Sequence, residues 1–316
     1  LQAGGAPALP ARTTSFQTWA ERLLEHGQTL GDRELDVWLA QRRRASGRLP
    51  VDLPGGENTV GSAEKIEVSL GIDETRALLQ EVPTAYRTRI QEALLAALGL
   101  AASRWTGVRA LRVDLEGHGR EEILPEVDLS RTVGWFTALF PVLLDLGQAA
   151  DPGEALKVVK ECHRSISQQG VGYGLLRYLH ADPDVRARLS ALPQAELLFN
   201  YWGQLDRVLA EGALLRAASE PAEGLVSPRA RRSHLLEVNC SILDERLRMV
   251  WTYSRNLHRR STIEAWAHGY AEALRSILAH CRSAGAGGVT PSDFPLASLD
   301  QRQLDKLVRK LSRARS

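Results

Sequence analysis

Apolar and polar residues alternate along Leu111-Arg112-Val113-Asp114-Leu115-Glu116. This pattern predicts a half-buried strand with Leu111, Val113 and Leu115 on one face and Arg112, Asp114 and Glu116 on the other. The same period of two runs through Ile66, Val68 and Leu70, and through Leu236, Val238, Cys240 and Ile242. It recurs in Leu247, Met249, Trp251 and Tyr253, and the intervening Asp244-Glu245 predicts a hairpin. Leu197 to Tyr201 reads as a further strand. Phe16, Trp19, Leu23 and Leu24 keep helical spacing and predict a helix over 15–27, stopped by Gly27. A second helix is expected over 32–43, a third capped by Asp73 and ending at Gln80, and a long apolar one from Thr84 to Trp105. Asp151-Pro152-Gly153-Glu154 combines a cap, a first-turn proline and an acidic third position, which opens a helix to about Gln169. Thr262 to Cys281 is amphipathic, with Gly285 as its stop. Gly47 to Ser62 is rich in glycine and proline and reads as a loop or lobe boundary. Strands and helices alternate without the regular beat of a doubly wound sheet, so the class is mixed α/β.

Composition narrows the function classes. Among 316 residues, 44% are hydrophobic and 25% charged, which is ordinary for a globular chain, and a net charge of +2 gives no pull toward nucleic acid or membrane. Cys162, Cys240 and Cys281 are odd in number and widely spaced, which argues against a disulfide framework or zinc site and for reduced thiols in a cytoplasm. Neither a signal peptide nor a phosphate-binding glycine motif is visible. Position 1 is Leu and the single methionine is Met249, so the chain reads as part of something longer.

Four segments carry candidate chemistry. Glu116-Gly117-His118-Gly119-Arg120-Glu121 places a carboxylate at a strand end beside glycines, a histidine and an arginine. Taken alone, that hexapeptide reads more readily as a charged turn. Arg131 to Val142 is aromatic, with Gly134 and Pro141, and by itself reads as core packing. Gly170-Val171-Gly172-Tyr173-Gly174 is a loop for close approach of substrate or a plain turn. Phe199-Asn200-Tyr201-Trp202-Gly203 ends a strand, and regular alternation sends Asn200 and Tyr201 to opposite faces.

In order and spacing, these segments together resemble the epimerization domain of nonribosomal peptide synthetases. Residues 116–121 match its EGHGRE element in full, 131–142 its RTVGWFT…PV element, 170–174 its GxGYG and 199–203 its FNYxG. Thr290 to Leu296 is similar to the family's closing segment, and the resemblance runs from about Thr14 to Leu307. Departures are Ser167 in place of a proline, Trp202 in place of a smaller apolar residue, and the absence of the family's HHxxxDG segment.

The resemblance implies a chloramphenicol-acetyltransferase-like two-lobed fold, with a mixed sheet and flanking helices. Residues 1–60 would end the first lobe, 61–297 would form the second, and 298–316 a basic C-terminal helix or linker. The implied reaction inverts the α-carbon of an aminoacyl or peptidyl thioester. That substrate is delivered on the 4′-phosphopantetheine of an upstream peptidyl carrier protein domain, among neighbouring synthetase modules. No metal, nucleic acid or membrane is implied. Glu116, Asn200 and Tyr201 are the implied catalytic residues; His118, Arg120, Trp135, Gly172 and Tyr173 support them. Arg120 is expected to hold Glu116 ionised or to orient it. His163, His180, His234, His258 and His268 lack a partner motif and are expected to be packing or surface residues. A condensation domain forming a peptide bond, or a non-catalytic carrier-binding module, are the competing classes.

Overall fold

In the computed structural model, residues 10–41, 48–166, 170–207, 226–297 and 299–315 are described. Ser167, Gln169 and Gly47 fall outside these, as do the side chains of Arg309, Arg313 and Arg315. By compactness the chain divides into two units, each built from separate stretches. One holds residues 1–42, 116–140 and 166–193; the other holds 43–115, 141–165 and 194–316.

The larger unit is organised on a sheet. Its strands are β1 (Ala63–Ser69), β2 (Ala110–Gly117), β3 (Ala138–Asp145), β4 (Leu197–Gln204), β5 (Leu236–Leu243) and β6 (Arg246–Ser254). The spatial order is β1-β6-β5-β4-β2-β3. The hairpin β5–β6 and the pair β1–β6 are antiparallel, whereas β4 runs parallel to both β5 and β2. Asp244 and Glu245 both take the left-handed conformation, which gives the hairpin turn the twist its strands need.

One face of the sheet is dry. Val113, Leu115, Leu197, Phe199, Val238, Cys240, Met249 and Trp251 have no exposed surface. Helix α3 (Ile72–Tyr86) packs on β6, and α8 (Arg260–Cys281) on β1 and β6. Helix α4 (Ile90–Thr106) packs between α8 and α5 (Pro152–Arg164). Helix α4 is apolar all round, with Leu94, Leu95, Ala97 and Leu98 fully buried, as a central helix must be. The other face of the sheet carries Asp114, Asn200, Glu237 and Asn239, each only partly buried.

The smaller unit packs α1 (Phe16–Thr29), α2 (Asp32–Ala40), α6 (Val171–Gly174) with a following π-helical turn (Leu175–Leu179), and α7 (Pro183–Ser190). Its centre is Trp38, fully buried against Phe140 and Tyr173 at ring separations of 6.1 and 5.2 Å.

Several boundaries differ from expectation. Gly27 does not stop α1; it is buried, and a Cβ there would lie 3.4 Å from Leu175, so its role is helix packing. Gly71, not Asp73, caps α3, with Glu74 reaching back to the Gly71 amide at 2.8 Å. The single helix expected from Thr84 is broken. Arg87 adopts the left-handed conformation and closes α3, and α4 begins at Ile90. A non-glycine residue at positive φ leaves no compositional mark, so the break was not legible. The glycine stretch 170–174 is the helical turn α6 rather than an open loop. Asp300 accepts from the Gln303 amide and starts α9 (Gln301–Arg315).

Candidate functional site

Glu116 sits near the end of β2, and its side chain is half-buried. It continues the face of Asp114, because residues two apart in a strand project together. From here the chain enters the smaller unit, where the rest of the hexapeptide makes a compact loop. Gly119 has φ +68°, and a Cβ on it would fall 1.5 Å from the Phe136 carbonyl oxygen. Only glycine fits such an approach. Arg120 donates to the carbonyls of Leu129 and Thr132 at 2.5 and 2.8 Å. Its guanidinium carbon lies 4.0 Å from the centre of the Phe136 ring, which itself contacts Phe16. Arg120 is thus committed to the loop at 129–136, not to orienting Glu116 as expected. His118 is exposed; its Nδ1 accepts from the Arg120 amide and its Nε2 lies 3.2 Å from Glu121 Oε1. An open cavity of about 690 Å³ adjoins Arg120, Glu121, Leu124, Val127, Leu129 and Ser130.

Trp135 and Val133 project from this loop, 83% and 92% exposed, so the aromatic segment is not core packing there. Gly172 and Tyr173 serve the packing around Trp38. A Cβ on Gly172 would meet the Glu34 carboxylate at 2.3 Å, and that carboxylate accepts from Trp38 Nε1 at 3.1 Å. The Tyr173 hydroxyl pairs with Arg177. A Cβ on Gly170 would strike the Phe140 ring at 1.9 Å.

In the larger unit, Leu115 lies opposite Phe199, the residue before Asn200. Asn200 faces Asn239 in the register with β5, and Tyr201 faces the fully buried Cys240. The two side chains therefore take opposite faces, as alternation predicts: Asn200 joins the polar face and Tyr201 the dry one. Burial, reinforced by Cys240, pushes the Tyr201 hydroxyl up to about 12. The ladder bulges between Tyr201 and Gln204, and Trp202 is exposed.

Two polar constellations escaped the sequence reading. His234, 5% exposed, pairs through Nε2 with Asp114 Oδ2 at 2.8 Å and through Nδ1 with Ser233 Oγ at 3.0 Å. Lys160, fully buried, donates to Asp293 at 2.7 Å and to the Tyr86 carbonyl at 2.8 Å. Arg164 joins Asp293 to the fully buried Glu92, which also faces His163 at 3.6 Å. His163 and His234 are thus members of buried polar networks. Their carboxylate partners stand far away in sequence, and no local spacing announces them. Among the described residues no group of His, Cys, Asp and Glu is arranged to hold a metal ion, and no helix is long and apolar enough to cross a membrane.

A family model described as "Condensation domain" matches residues 1–299. One linear gramicidin synthase protein of Brevibacillus parabrevis is 49% identical over 304 residues, 95% of this chain but 4% of that protein. Another gramicidin synthase protein from the same organism is 45% identical over 98% of this chain and 6% of its own length. The crystal structure of the epimerization domain from the third module of tyrocidine synthetase B aligns at 33% identity with a TM-score of 0.78. It covers 87% of this chain and 61% of that domain. The mixed six-stranded sheet with flanking helices is accordingly the chloramphenicol-acetyltransferase-like fold expected from the sequence. This chain belongs to the condensation-domain family of nonribosomal peptide synthetases.

Proposed function

We propose that the chain is part of an epimerization domain. It would invert the α-carbon of an aminoacyl or peptidyl group held as a thioester on a carrier protein's phosphopantetheine arm. The observation that carries this reading is the intact 116–121 string at the end of β2, in a chain 33% identical to a solved epimerization domain.

A thioester carbonyl acidifies the neighbouring C–H, because the carbanion delocalises into an enolate. Inversion needs a proton removed on one face and returned on the other, and a donor for the enolate oxygen. Glu116 is the proposed acid/base group, a role worth about 10²–10⁴-fold in rate. The amide of Asn200, on the same polar face as Glu116, is the proposed support for the enolate or the pantetheine arm, and Tyr201, whose hydroxyl stays protonated at neutral pH, is proposed to support that strand end from the dry face. His118, Arg120, Trp135, Gly172 and Tyr173 support by shaping the surrounding loops. The second acid/base group is not assigned to a residue of this chain. The proposed partners are an upstream peptidyl carrier domain and neighbouring modules in the cytoplasm.

The family description itself favours one rival, amide-bond formation. A full-length protein loaded with an α-deuterated aminoacyl thioester separates the two. Loss of deuterium with formation of the D-residue, abolished by Glu116→Gln, is expected. Amide formation without deuterium loss would replace the proposal with condensation.

A further inference from the structure

We infer that one end of the sheet, where β1 and β5 begin and β6 ends, is a docking surface for an acidic polypeptide segment of a partner protein, held through Arg229, Arg231, Arg255 and Arg259. This surface lies wholly within the larger unit. Ala63 pairs with Ser254 and Leu236 with Tyr253, so the three strands share that end. The chain entering β1 and β5 and leaving β6 is stitched together there by its backbone. Thr59 bridges Arg231, the Val60 amide donates to the Ala230 carbonyl at 2.9 Å, and the Gly61 amide donates to the Pro228 carbonyl at 2.8 Å. On the other side the Arg255 amide donates to the Ser62 carbonyl and the Leu53 amide to the Leu257 carbonyl, each at 3.0 Å. A Cβ on Gly56 would fall 1.9 Å from the Asn256 carbonyl oxygen, so backbone meets backbone here too. Arg231 and Arg255 therefore flank one short turn, Val60–Ser62, on a platform fixed by main-chain bonds.

The four arginines are exposed, and none forms a side-chain hydrogen bond or ion pair among the described residues. Elsewhere in this unit Arg248, Arg260, Arg275 and Arg282 each meet a carboxylate. Within the platform Arg232 does so as well: it turns inward and pairs with Glu237 at 2.9 Å. The acids beside the four are Asp52, which accepts from the Arg259 amide at 2.8 Å, and the exposed Glu57, and neither pairs with them. Positive charge is thus in excess, on guanidinium forks whose geometry matches carboxylates. Leu53 and Val226, 39% and 57% exposed, add apolar surface at the margins. Arginine beside apolar surface is the composition of a protein interface. Residues 52–62, 226–232 and 254–259 carry no exposed aromatic side chain on which a base could stack, which favours an acidic polypeptide over a nucleic acid.

The test titrates a fluorescent oligoglutamate peptide into the full-length protein and follows its anisotropy. Combining Arg229→Gln, Arg231→Gln and Arg255→Gln is expected to weaken binding about tenfold, as the loss of three exposed charge pairs should. Arg246→Gln with Arg248→Gln, at the opposite end of β6, is expected to leave binding unchanged. Raising the ionic strength should weaken the parent complex. A second measurement needs no substitution: modification by an arginine-directed dione, read by mass spectrometry. The peptide is expected to slow modification of Arg229, Arg231, Arg255 and Arg259 but not of Arg246. No binding by the parent protein, equal binding by the triple variant, or absence of protection at the four arginines would overturn the inference. Preferential displacement of the peptide by a short single-stranded RNA would overturn it in favour of a nucleic acid.

Discussion

The guanidinium carbon of Arg120 stands over the Phe136 ring, 4.0 Å from its centre, while its two terminal nitrogens hold the carbonyls of Leu129 and Thr132. A planar fork that stacks and donates twice is something arginine does and lysine does not. The arginine of the hexapeptide therefore ties residues 118–121 to the segment from 129 to 136. This tie holds the loop that presents Val133 and Trp135.

Arg120→Ala should lower stability by about 1–3 kcal/mol, from two lost charge-assisted hydrogen bonds and one cation–π contact. Arg120→Lys should recover less than half of that. Limited proteolysis is the direct check, with new cleavage expected between residues 118 and 136. Cleavage no faster than in the parent protein would show that the loop does not depend on Arg120.

Gly119 and Gly107 offer a matched comparison. Both have positive φ, +68° and +72°. A Cβ on Gly107 meets nothing within 4 Å, whereas one on Gly119 collides with the Phe136 carbonyl. Gly107→Ala should cost about 1–2 kcal/mol, the ordinary penalty of left-handed backbone. Gly119→Ala should exceed about 3 kcal/mol or fail to fold, since backbone cannot yield by the required distance. Denaturant unfolding of the two variants side by side tests this; equal losses would contradict it.

How much of this was readable in the chain depended on the range of the interaction. Period-two alternation located β1, β2, β5 and β6, because one face of each lies against the same dry core. The Asp151 cap was legible because its hydrogen bond to the Glu154 amide closes within four residues. Arg87 closed α3 unannounced, since positive φ on a long side chain has no local signature. The glycines at 170 and 172 suggested an open loop, but they are small to admit Phe140 and Glu34, which stand far off in sequence. His234 looked partnerless for the same reason, since Asp114 is 120 residues away.

The buried network around Lys160 makes a prediction about acid. Burial pushes the Asp293 carboxyl up, but hydrogen bonds from Lys160 and the Thr290 amide outweigh it, and the net direction is down. Burial likewise raises Glu92, yet His163, Arg164 and the Arg89 amide bring it below the ordinary range. Both groups bind protons more weakly folded than unfolded. Their contribution to stability is therefore complete above the unfolded carboxylate range, about pH 4–5, and is lost as pH falls through the folded values. Asp293→Asn leaves the Lys160 ammonium, which has no exposed surface, without its carboxylate, and should cost about 3–5 kcal/mol at neutral pH. Lys160→Met should cost less, because Asp293 keeps Arg164 at 3.0 Å. Unfolding free energies measured from neutral pH downward should also show a shallower acid decline for Asp293→Asn. A larger loss for Lys160→Met than for Asp293→Asn would show that the lysine, not the stranded charge, dominates.

Tyr201 supplies the last prediction. Its hydroxyl is pushed to about 12, first by burial and then by Cys240 across the ladder. A phenol in that state is a hydrogen-bond donor at neutral pH and not a base. Its place on the dry face, opposite Cys240, makes it a support for the end of β4 that carries Asn200, while Glu116 remains the proposed acid/base group. Phenolate absorbance, followed as the parent protein minus Tyr201→Phe, should show no ionisation of this residue until about pH 12. The sign for stability is also fixed: the unfolded chain releases this proton near about 10, so raising the pH beyond that value favours unfolding. Tyr201→Phe should remove that part of the alkaline loss while slowing deuterium loss. The slowing should be uniform across neutral pH, because the group it removes does not titrate there. A difference spectrum with a midpoint near the ordinary phenol value of about 10 would instead show that burial does not hold this proton in place.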